Sequence, residues 1–330
     1  MTTRVQMLTA ALAIALIGAA PAALAQAQTT NWPEKPVRIV MPFPTGGASD
    51  VLTRILADQL RTKLGQTFVV ENRTGAGGNI GMEAGAKAAP DGYTLTSATI
   101  GTLSINQYLF KSLPYDPEGG FAYVSTFWAN CNVVLVSPQH NQARTLNDFI
   151  NWAKAQPKGI NFGSSGVGTT PHLAGELFRV RTGISATHVP ARGAPQTISM
   201  LLSGALDTSI DNIASYAGLL AGGQVRGLAV TCPERWPTLP ELPTMAEAGI
   251  PDFVITSWGA LVAPAGTPAA IVEKLSRTMA EIAADKSVQE RFLTAGARLT
   301  SSTPQETAAF AARERIKFQE LIRLSGAKAD

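Results

Sequence analysis

The chain has few of the residues on which metal, nucleotide and covalent chemistry usually depend. Of its 330 residues two are cysteines and three are histidines, and 15% are charged against about 25% in typical soluble proteins. It has no run of basic residues and no alternation of basic with aromatic residues, so we expect no nucleic-acid partner. Small anions are not excluded as ligands, because backbone dipoles can hold an anion without bulk charge.

Catalytic and metal-binding signatures are also missing. Gly163–Val167 has valine where a G-x-S-x-G nucleophile elbow needs glycine. His172 and Glu176, four residues apart, would make half a metal site, but H-E-x-x-H is absent and a capping or packing role is favoured. His140 and His188 stand alone in the sequence and are interpreted as structural. We therefore predict no catalytic residue, no metal and no cofactor.

Long apolar runs are scarce, and the one that stands out is at the N-terminus. Arg4 precedes an apolar run from about Leu8 to Ala20, and Ala23-Leu24-Ala25 forms an A-x-A cleavage site. Residues 1–25 are predicted to be a secretory signal peptide, too short to span a membrane and cleaved after Ala25. The remaining 305 residues (330 − 25) suit two domains of about 150 residues each.

The two cysteines, Cys131 and Cys232, lie beside apolar strand candidates at Val133–Val136 and Leu228–Val230. In an exported protein two cysteines can pair. If the two strands run antiparallel and adjacent, the thiols would lie close together. A disulfide and two separate buried thiols both remain open.

The stretch from Val37 to Arg61 predicts a strand, a glycine turn and a helix. Val37–Met41 is a short apolar run, Thr45-Gly46-Gly47 frees the backbone to turn, and Ser49 or Asp50 can cap a helix with apolar residues at helical spacing. This arrangement places backbone N–H groups and a positive helix end at the carboxyl edge of a sheet, which favours anions. An ordinary strand–helix connection fits these residues equally well.

Strand and helix candidates then alternate, which predicts an α/β protein with mostly parallel sheets. Two long strand-like passages, Phe121–Val136 and Phe253–Ala263, predict a double crossover between two domains. Domain 1 would comprise residues 26–125 and 253–330, and domain 2 residues 126–252. Ligands in open α/β sheets bind beyond the carboxyl ends of strands, so we expect a cleft between the domains.

Four loops at strand ends could meet in that cleft: Phe43–Asp50, Thr99–Ser104, Gly163–His172 and Asp211-Asn212. The first and third share a flexible turn followed by a helix N-terminus, and they are assigned to opposite domains. Two such helix ends could grip a carboxylate from both sides. For Asp211-Asn212 taken alone, a helix cap or turn is the favoured interpretation.

Several motifs, in this order and spacing, are similar to those of one family over the whole mature chain. They are WPEKPVRIVMPFPTGGASD at 32–50, VVENRTGAGGNIG at 69–81, AAPDGYTL at 88–95, NFGSSGVGTTPHLAGELF at 161–178, HVPARG at 188–193, DN at 211–212, LPELPTMAEAG at 239–249 and SWGALVAPAGTP at 257–268. The sequence resembles the Bug-type receptors, the extracytoplasmic solute-binding proteins of tripartite tricarboxylate transporters.

The resemblance implies a type II periplasmic-binding-protein fold, two α/β domains joined by two crossover strands, that closes over its ligand. It implies that loop backbone and ordered water hold one carboxylate of the solute between the lobes. Thr99 is added from the second loop, and Arg192 is a candidate for a second carboxylate, with a solvated position as the alternative. The predicted ligand-binding residues are Phe43, Pro44, Thr45, Gly46, Gly47, Asp50, Thr99, Ser165, Gly168, Thr169, Thr170, His172, Arg192, Asp211 and Asn212.

Two positions depart from the family pattern. Thr45 stands where the first loop usually has proline, which either adds a hydrogen bond or loosens the turn. Ala191 stands where an aromatic residue usually follows His188-Val189-Pro190, and its small side chain is expected to widen the pocket.

The resemblance implies a periplasmic, monomeric receptor for a small carboxylate, namely a dicarboxylate, an acidic metabolite or an aromatic acid. Its partners would be the membrane permease subunits of a tripartite tricarboxylate-type transporter. One alternative is a solute-sensing partner of a membrane sensor kinase. The other is an exported α/β hydrolase that uses Ser165 and His172.

Overall fold

The computed structural model describes residues 31–329. The predicted signal peptide, residues 1–25, lies outside the described residues. In chain order the main elements are β1 (Val37–Met41), α1 (Ala48–Leu64), β2 (Phe68–Asn72), α2 (Asn79–Ala86), β3 (Thr94–Thr99), a π-helical segment (Gly101–Ile105), α3 (Asn106–Leu109), β4 (Phe121–Val136), α4 (Leu146–Lys154), β5 (Ile160–Ser164), α5 (Thr170–Thr182), β6 (Ala186–Pro190), α6 (Ala194–Leu202), β7 (Thr208–Asn212), α7 (Ile213–Ala221), β8 (Arg226–Val230), β9 (Thr256–Pro264), α8 (Ala269–Ala284), α9 (Lys286–Thr294), β10 (Arg298–Leu299) and α10 (Pro304–Ser325).

The strands form one continuous sheet in the order β2-β1-β3-β9-β4-β7-β5-β6, with β8 and β10 also paired to β4. Its two ends are parallel: β1 pairs with β2 and β3, and β5 pairs with β6 and β7. In the middle, β4 runs antiparallel to β9, and its second part pairs with β7 and β8. The long strand β4 therefore belongs to both parallel groups and joins them.

Each parallel group is covered by helices and has its own apolar cores. In the first group, one core packs α1 and α8 against β1 and β3, with Leu56 and Leu275 fully buried. In the second group, one core packs α4 and α5 against β4 and β5, with Phe149 and Phe178 at its centre. We call the first group and its helices lobe 1 and the second group and its helices lobe 2. The domain bounds at residues 126 and 252 stay a prediction.

The strand prediction for Phe121–Val136 and the helix prediction for Ala269–Ala284 match the structure end to end. The prediction of a loop at Thr99–Ser104 was wrong, because Thr99 ends β3 and the π-helical segment begins at Gly101. Asp211 and Asn212 are the last residues of β7 rather than a loop after it. Among residues 31–329, no helix combines the length and apolar character that a membrane crossing requires.

Cys131 and Cys232 form a disulfide, with their Cα atoms 5.4 Å apart. The sequence analysis required the two flanking strands to be adjacent and antiparallel. They are, because β4 and β8 are antiparallel neighbours with Val133 opposite Val230. Of the two alternatives left open above, the structure selects the disulfide.

Candidate functional site

A cavity lies between the lobes, at the carboxyl ends of strands from both. It has about 520 Å³ of empty volume including its mouth. Its lining is made of glycine, hydroxyl-bearing and apolar residues together with the amide Asn212, and no charged side chain lines it within residues 31–329. The lining residues are Phe43, Pro44, Gly47, Ala48, Ser49, Thr99, Ile100, Gly101, Trp128, Ser165, Thr169, Thr170, Pro171, Gly193, Ala194, Asn212, Ser215 and Ser257.

Four α-helices begin at this cavity, one from lobe 1 and three from lobe 2. Their N-cap residues, Gly47, Thr169, Gly193 and Asn212, all line it, and none of them caps its helix with a side-chain hydrogen bond. By contrast, Thr145, Asp285 and Thr303 cap α4, α9 and α10 with their side chains. The first turn of a helix has N–H groups without an intrahelical partner. At the cavity, none of these helices is capped by the side chain of its own N-cap residue, although Ser215 Oγ accepts a hydrogen bond from the Ala48 N–H in the first turn of α1.

The first predicted loop is held in shape by Asp50, which is buried behind the cavity wall. Its carboxylate accepts hydrogen bonds from Arg54, from Asn72 Nδ2 at 2.9 Å and from the Gly46 N–H at 3.0 Å. Burial raises the pKa of Asp50, but these hydrogen bonds and the charge of Arg54 outweigh it, and the pKa is lowered overall. Ionised Asp50 therefore holds the loop in this conformation through its hydrogen bonds. It does not line the cavity.

Thr45 shows what the departure from the family pattern does in this loop. Its hydroxyl donates to Asn72 Oδ1 at 3.2 Å. Asn72 also donates to the Phe43 carbonyl, at 2.8 Å. Of the two effects considered for Thr45, the structure shows the added hydrogen bond.

In lobe 2, Ser165 connects the third loop to the end of β7. Its hydroxyl donates to Asp211 Oδ2 at 2.6 Å, and the Asn212 N–H donates to Asp211 Oδ1 at 2.7 Å. Asp211 is fully buried, and burial raises its pKa, opposed by the hydrogen bonds from Ser165 and Asn212. Since the proton of Ser165 is committed to a carboxylate, the hydroxyl is not arranged as a nucleophile beside a histidine base.

Arg192 lies outside the inner cavity, on the wall of an adjoining outer chamber. This chamber shares Phe43, Pro44 and Ser165 with the inner cavity and is closed on other sides by the glycine-rich turn 75–78. Ala191 also lines it. Arg192 is exposed and is the one charged residue among those lining this chamber in the described part of the chain.

Of the predicted ligand-binding residues, eight line the inner cavity: Phe43, Pro44, Gly47, Thr99, Ser165, Thr169, Thr170 and Asn212. Seven do not: Thr45, Gly46, Asp50, Gly168, His172, Arg192 and Asp211. Which of them contact a solute stays a prediction. The sequence reasoning missed Trp128 and Ser257, which lie on the crossover strands, and Gly193, Ala194 and Ser215. For Gly193 and Ala194 there was a signal, since they follow a strand and open a helix.

His188 does not stand alone, contrary to the interpretation of the sequence. Its ring stacks on His172 with centroids 4.3 Å apart and on Phe162 at 4.9 Å. Its Nε2 lies 2.7 Å from Ser164 Oγ. Burial and the nearby His172 lower the pKa of His188 to about 3, so the ring is neutral at neutral pH.

A cavity closed between two α/β lobes, with strands crossing from one lobe to the other, defines a two-lobed solute-binding protein. Residues 52–326 match the model of the tripartite tricarboxylate transporter family receptor. The chain is 36% identical over 299 residues to protein BugT of Bordetella pertussis, which covers 90% of this chain and 91% of that protein. The chain belongs to the tripartite tricarboxylate transporter receptor family, as the resemblance of its motifs predicted.

Solved structures of similar proteins have the same fold. The fold is similar to that of Rhodopseudomonas palustris Rpa4515 with adipate, with a TM-score of 0.88 and 34% identity over 90% of this chain and 99% of that one. It is also similar to MatC from the same organism with bound malate, with a TM-score of 0.82 and 28% identity over 88% of this chain and 100% of that one. The predicted α/β solute-binding fold is thereby confirmed.

Proposed function

We propose that this protein is a periplasmic receptor that captures a small carboxylate between its lobes and delivers it to a tripartite tricarboxylate-type permease. One observation carries the proposal. Four helices whose N-cap residues make no side-chain cap begin at a cavity whose lining, within residues 31–329, includes no charged side chain. Such a cavity suits an anion that brings its own charge and accepts hydrogen bonds from backbone N–H groups.

The contributions of the two lobes explain why capture would depend on closure. The first turn of α1 comes from lobe 1, whereas the first turns of α5, α6 and α7 come from lobe 2. A solute held by both sets of N–H groups binds the closed form more strongly than the open form, and it shifts the population by that difference in affinity.

Dicarboxylates are the solute class that we favour. Two similar structures contain adipate and malate, both of which are dicarboxylates. In this protein one carboxylate would lie at the helix N-termini of the inner cavity. The other would extend into the outer chamber, towards Arg192. Acidic metabolites and aromatic acids with one carboxylate remain the other members of the proposed class.

The proposal that this protein is a receptor also includes a periplasmic location and no catalytic activity. Export would depend on residues 1–25, with cleavage after Ala25. We propose no catalytic residue and no cofactor, because Ser165 donates to a carboxylate and lines a cavity suited to holding an anion. A monomer that contacts permease subunits would be the working unit.

The test is a thermal-shift screen of the mature protein against adipate, malate, other dicarboxylates, amino acids and aromatic acids, followed by calorimetry. A ligand at about 100 times its Kd should add about 2.7 kcal/mol to the free energy of unfolding. Mass spectrometry of the denatured protein would identify a solute that co-purifies. No shift with any acid, together with no co-purified solute, would contradict the proposal.

A variant links any binding to the first loop. Gly47 has φ −77° and ψ 165°, a conformation open to any residue, and an added Cβ would meet only Pro44 O at 3.6 Å. Gly47→Leu should therefore fold but fill the cavity, and it should lose at least about tenfold in affinity. Gly218→Leu, in α7 with nothing within 4 Å of its added Cβ, is the matched control. Unchanged affinity in Gly47→Leu would remove the first loop from the site.

A further inference from the structure

The hydroxyl groups that line the inner cavity differ between its two sides. On the side of lobe 2, each hydroxyl group already takes part in a hydrogen bond within the protein. Ser165, Thr169 and Thr170 donate to other groups of the protein, and Ser215 accepts from the N–H of Ala48. What remains available to a solute on this side is therefore mainly the N–H groups at the starts of the helices.

Three other hydroxyl groups at the cavity have no partner within residues 31–329. They belong to Ser49 in the first turn of α1, Thr99 at the end of β3 and Ser257 on the crossover strand β9. The three residues are only 8%, 7% and 4% exposed. Buried polar groups in native proteins are nearly always paired, because an unpaired one is costly. These hydroxyl groups are therefore available to a group that enters the cavity.

The pairing of β3 with β9 places Thr99 and Ser257 side by side. Thr99 lies opposite Gly259, and Ser257 is two residues from Gly259 on the same strand. Since alternate residues of a strand point to the same face, the side chains of Thr99 and Ser257 share one face of the sheet. Such diagonal neighbours are typically about 7–8 Å apart. One small polar group between them can therefore contact both hydroxyl groups.

The carboxylate of a solute does not need these three hydroxyl groups. Its two oxygens accept about four hydrogen bonds, and the four helix starts at the cavity supply N–H donors for them. A hydroxyl group on the solute both donates and accepts, as the hydroxyl groups of serine and threonine do. It therefore matches the unpaired groups, whereas a methylene group in the same place would leave them unpaired.

We infer that Ser49, Thr99 and Ser257 form a subsite for a hydroxyl group of the solute, and that the solute is a 2-hydroxy carboxylate. This assignment rests on the proposed function, which places the carboxylate at the helix N-termini of the inner cavity. Ser49 lies in the first turn of one of these helices, so a hydroxyl group that it contacts is next to the carboxylate, on carbon 2. With a second carboxylate in the outer chamber, the preferred solute is a 2-hydroxy dicarboxylate.

The experiment is calorimetry with pairs of acids that differ only in the 2-hydroxyl group: malate and succinate, 2-hydroxyglutarate and glutarate, 2-hydroxyadipate and adipate. Any other acid that binds in the wider screen is compared with its own partner. We expect the hydroxy acid to bind at least about tenfold more tightly, because its partner leaves buried hydroxyl groups unpaired. Equal affinities within the pairs, or binding confined to acids without a hydroxyl group, would overturn the inference and leave the receptor function intact. No binding of any acid would contradict the receptor function, and the inference with it.

Variants test whether these residues produce the preference for the hydroxy acid. Ser257→Ala and Thr99→Val each remove one hydroxyl group and break no hydrogen bond within the described part of the protein. Each should reduce the ratio of the two affinities about fivefold or more, and both combined with Ser49→Ala should abolish the preference. Ser137→Ala is the matched control, since Ser137 is 2% exposed, its Oγ also has no partner, and it does not line the cavity. Circular dichroism checks that the variants fold. Full preference in the triple variant, or equal loss in Ser137→Ala, would overturn the inference.

Discussion

Asp211 is a fully buried carboxyl group at the carboxyl end of β7, directly behind the cavity wall. Burial raises its pKa, and its hydrogen bonds from Ser165 and Asn212 offset this in part. The folded state therefore holds this proton more tightly than the unfolded state does. Stability contributed by the protonated carboxyl is lost as pH rises from the unfolded pKa of about 3.9 through the raised folded pKa.

Asp211→Asn should therefore make the protein more stable at pH 7, and the gain should shrink as pH falls towards 4. The amide can still accept from the Asn212 N–H, and its NH₂ group can donate to Ser165, so both hydrogen bonds have a replacement. Urea unfolding at a series of pH values measures the difference. Asp252→Asn is the matched control, since Asp252 is exposed at φ 56°, which asparagine also tolerates. Lower stability of Asp211→Asn at pH 7 would contradict the prediction.

Residues at helix starts could be predicted to face the cavity, and those on strands could not. Gly47 and Thr169 follow a strand, contribute to a turn and open a helix, so local sequence places them at a carboxyl edge. Trp128 lies in an apolar strand, and its exposure to the cavity depends on the pairing of β4 with β9. The contact between His172 and His188 depends in the same way on the packing of α5 against β6, which no local pattern encodes.

Among elements, the longest ones were predicted best because their patterns are least ambiguous. The first four residues of the segment Gly101–Ile105 were predicted to be part of a loop, because the segment begins with glycine and carries hydroxyl residues. All five of its residues are buried, and Arg315 of α10 donates to the Leu103 carbonyl at 3.3 Å. Packing against α10, rather than local propensity, determines its helical form.

The disulfide links two elements that are distant in sequence. Cys131 lies on β4 and Cys232 follows β8, 101 residues further on. Cys131→Ala combined with Cys232→Ala should lower the free energy of unfolding by about 2–4 kcal/mol, because the unfolded chain regains the freedom that the cross-link removes. Urea unfolding measures this, and neither cysteine lines the solute cavity, so solute affinity should be nearly unchanged.

Reduction of the wild-type protein provides the control for that prediction. Once the buried disulfide is reduced under unfolding conditions, the wild type should unfold with a midpoint close to that of the double alanine variant. If the oxidised wild type and the variant have the same stability, the cross-link does not contribute as proposed.

At the scale of the whole molecule, backbone groups and glycine residues form close contacts between the two lobes around the cavity. The Ala48 N–H of lobe 1 donates to Ser215 Oγ of lobe 2 at 3.0 Å. A Cβ added at Gly101 would lie 2.8 Å from the Gly168 carbonyl oxygen on the opposite lobe. Glycine at 101 therefore allows a closer approach of the lobes than any other residue would.

Gly101→Ala should favour the open form and weaken solute binding. Its backbone is outside the left-handed region, so alanine adds no local strain, and the one close new contact is with the opposite lobe. Opening the lobes relieves this contact, so the free energy of unfolding without solute should change little, whereas affinity should fall about tenfold or more. Gly218→Ala, where nothing lies within 4 Å of the added Cβ, controls for the substitution itself. Small-angle scattering would show an expanded average form for Gly101→Ala and an unchanged one for the control. Equal affinity in both variants would mean that binding does not require the lobes to close as far as they do in this structure.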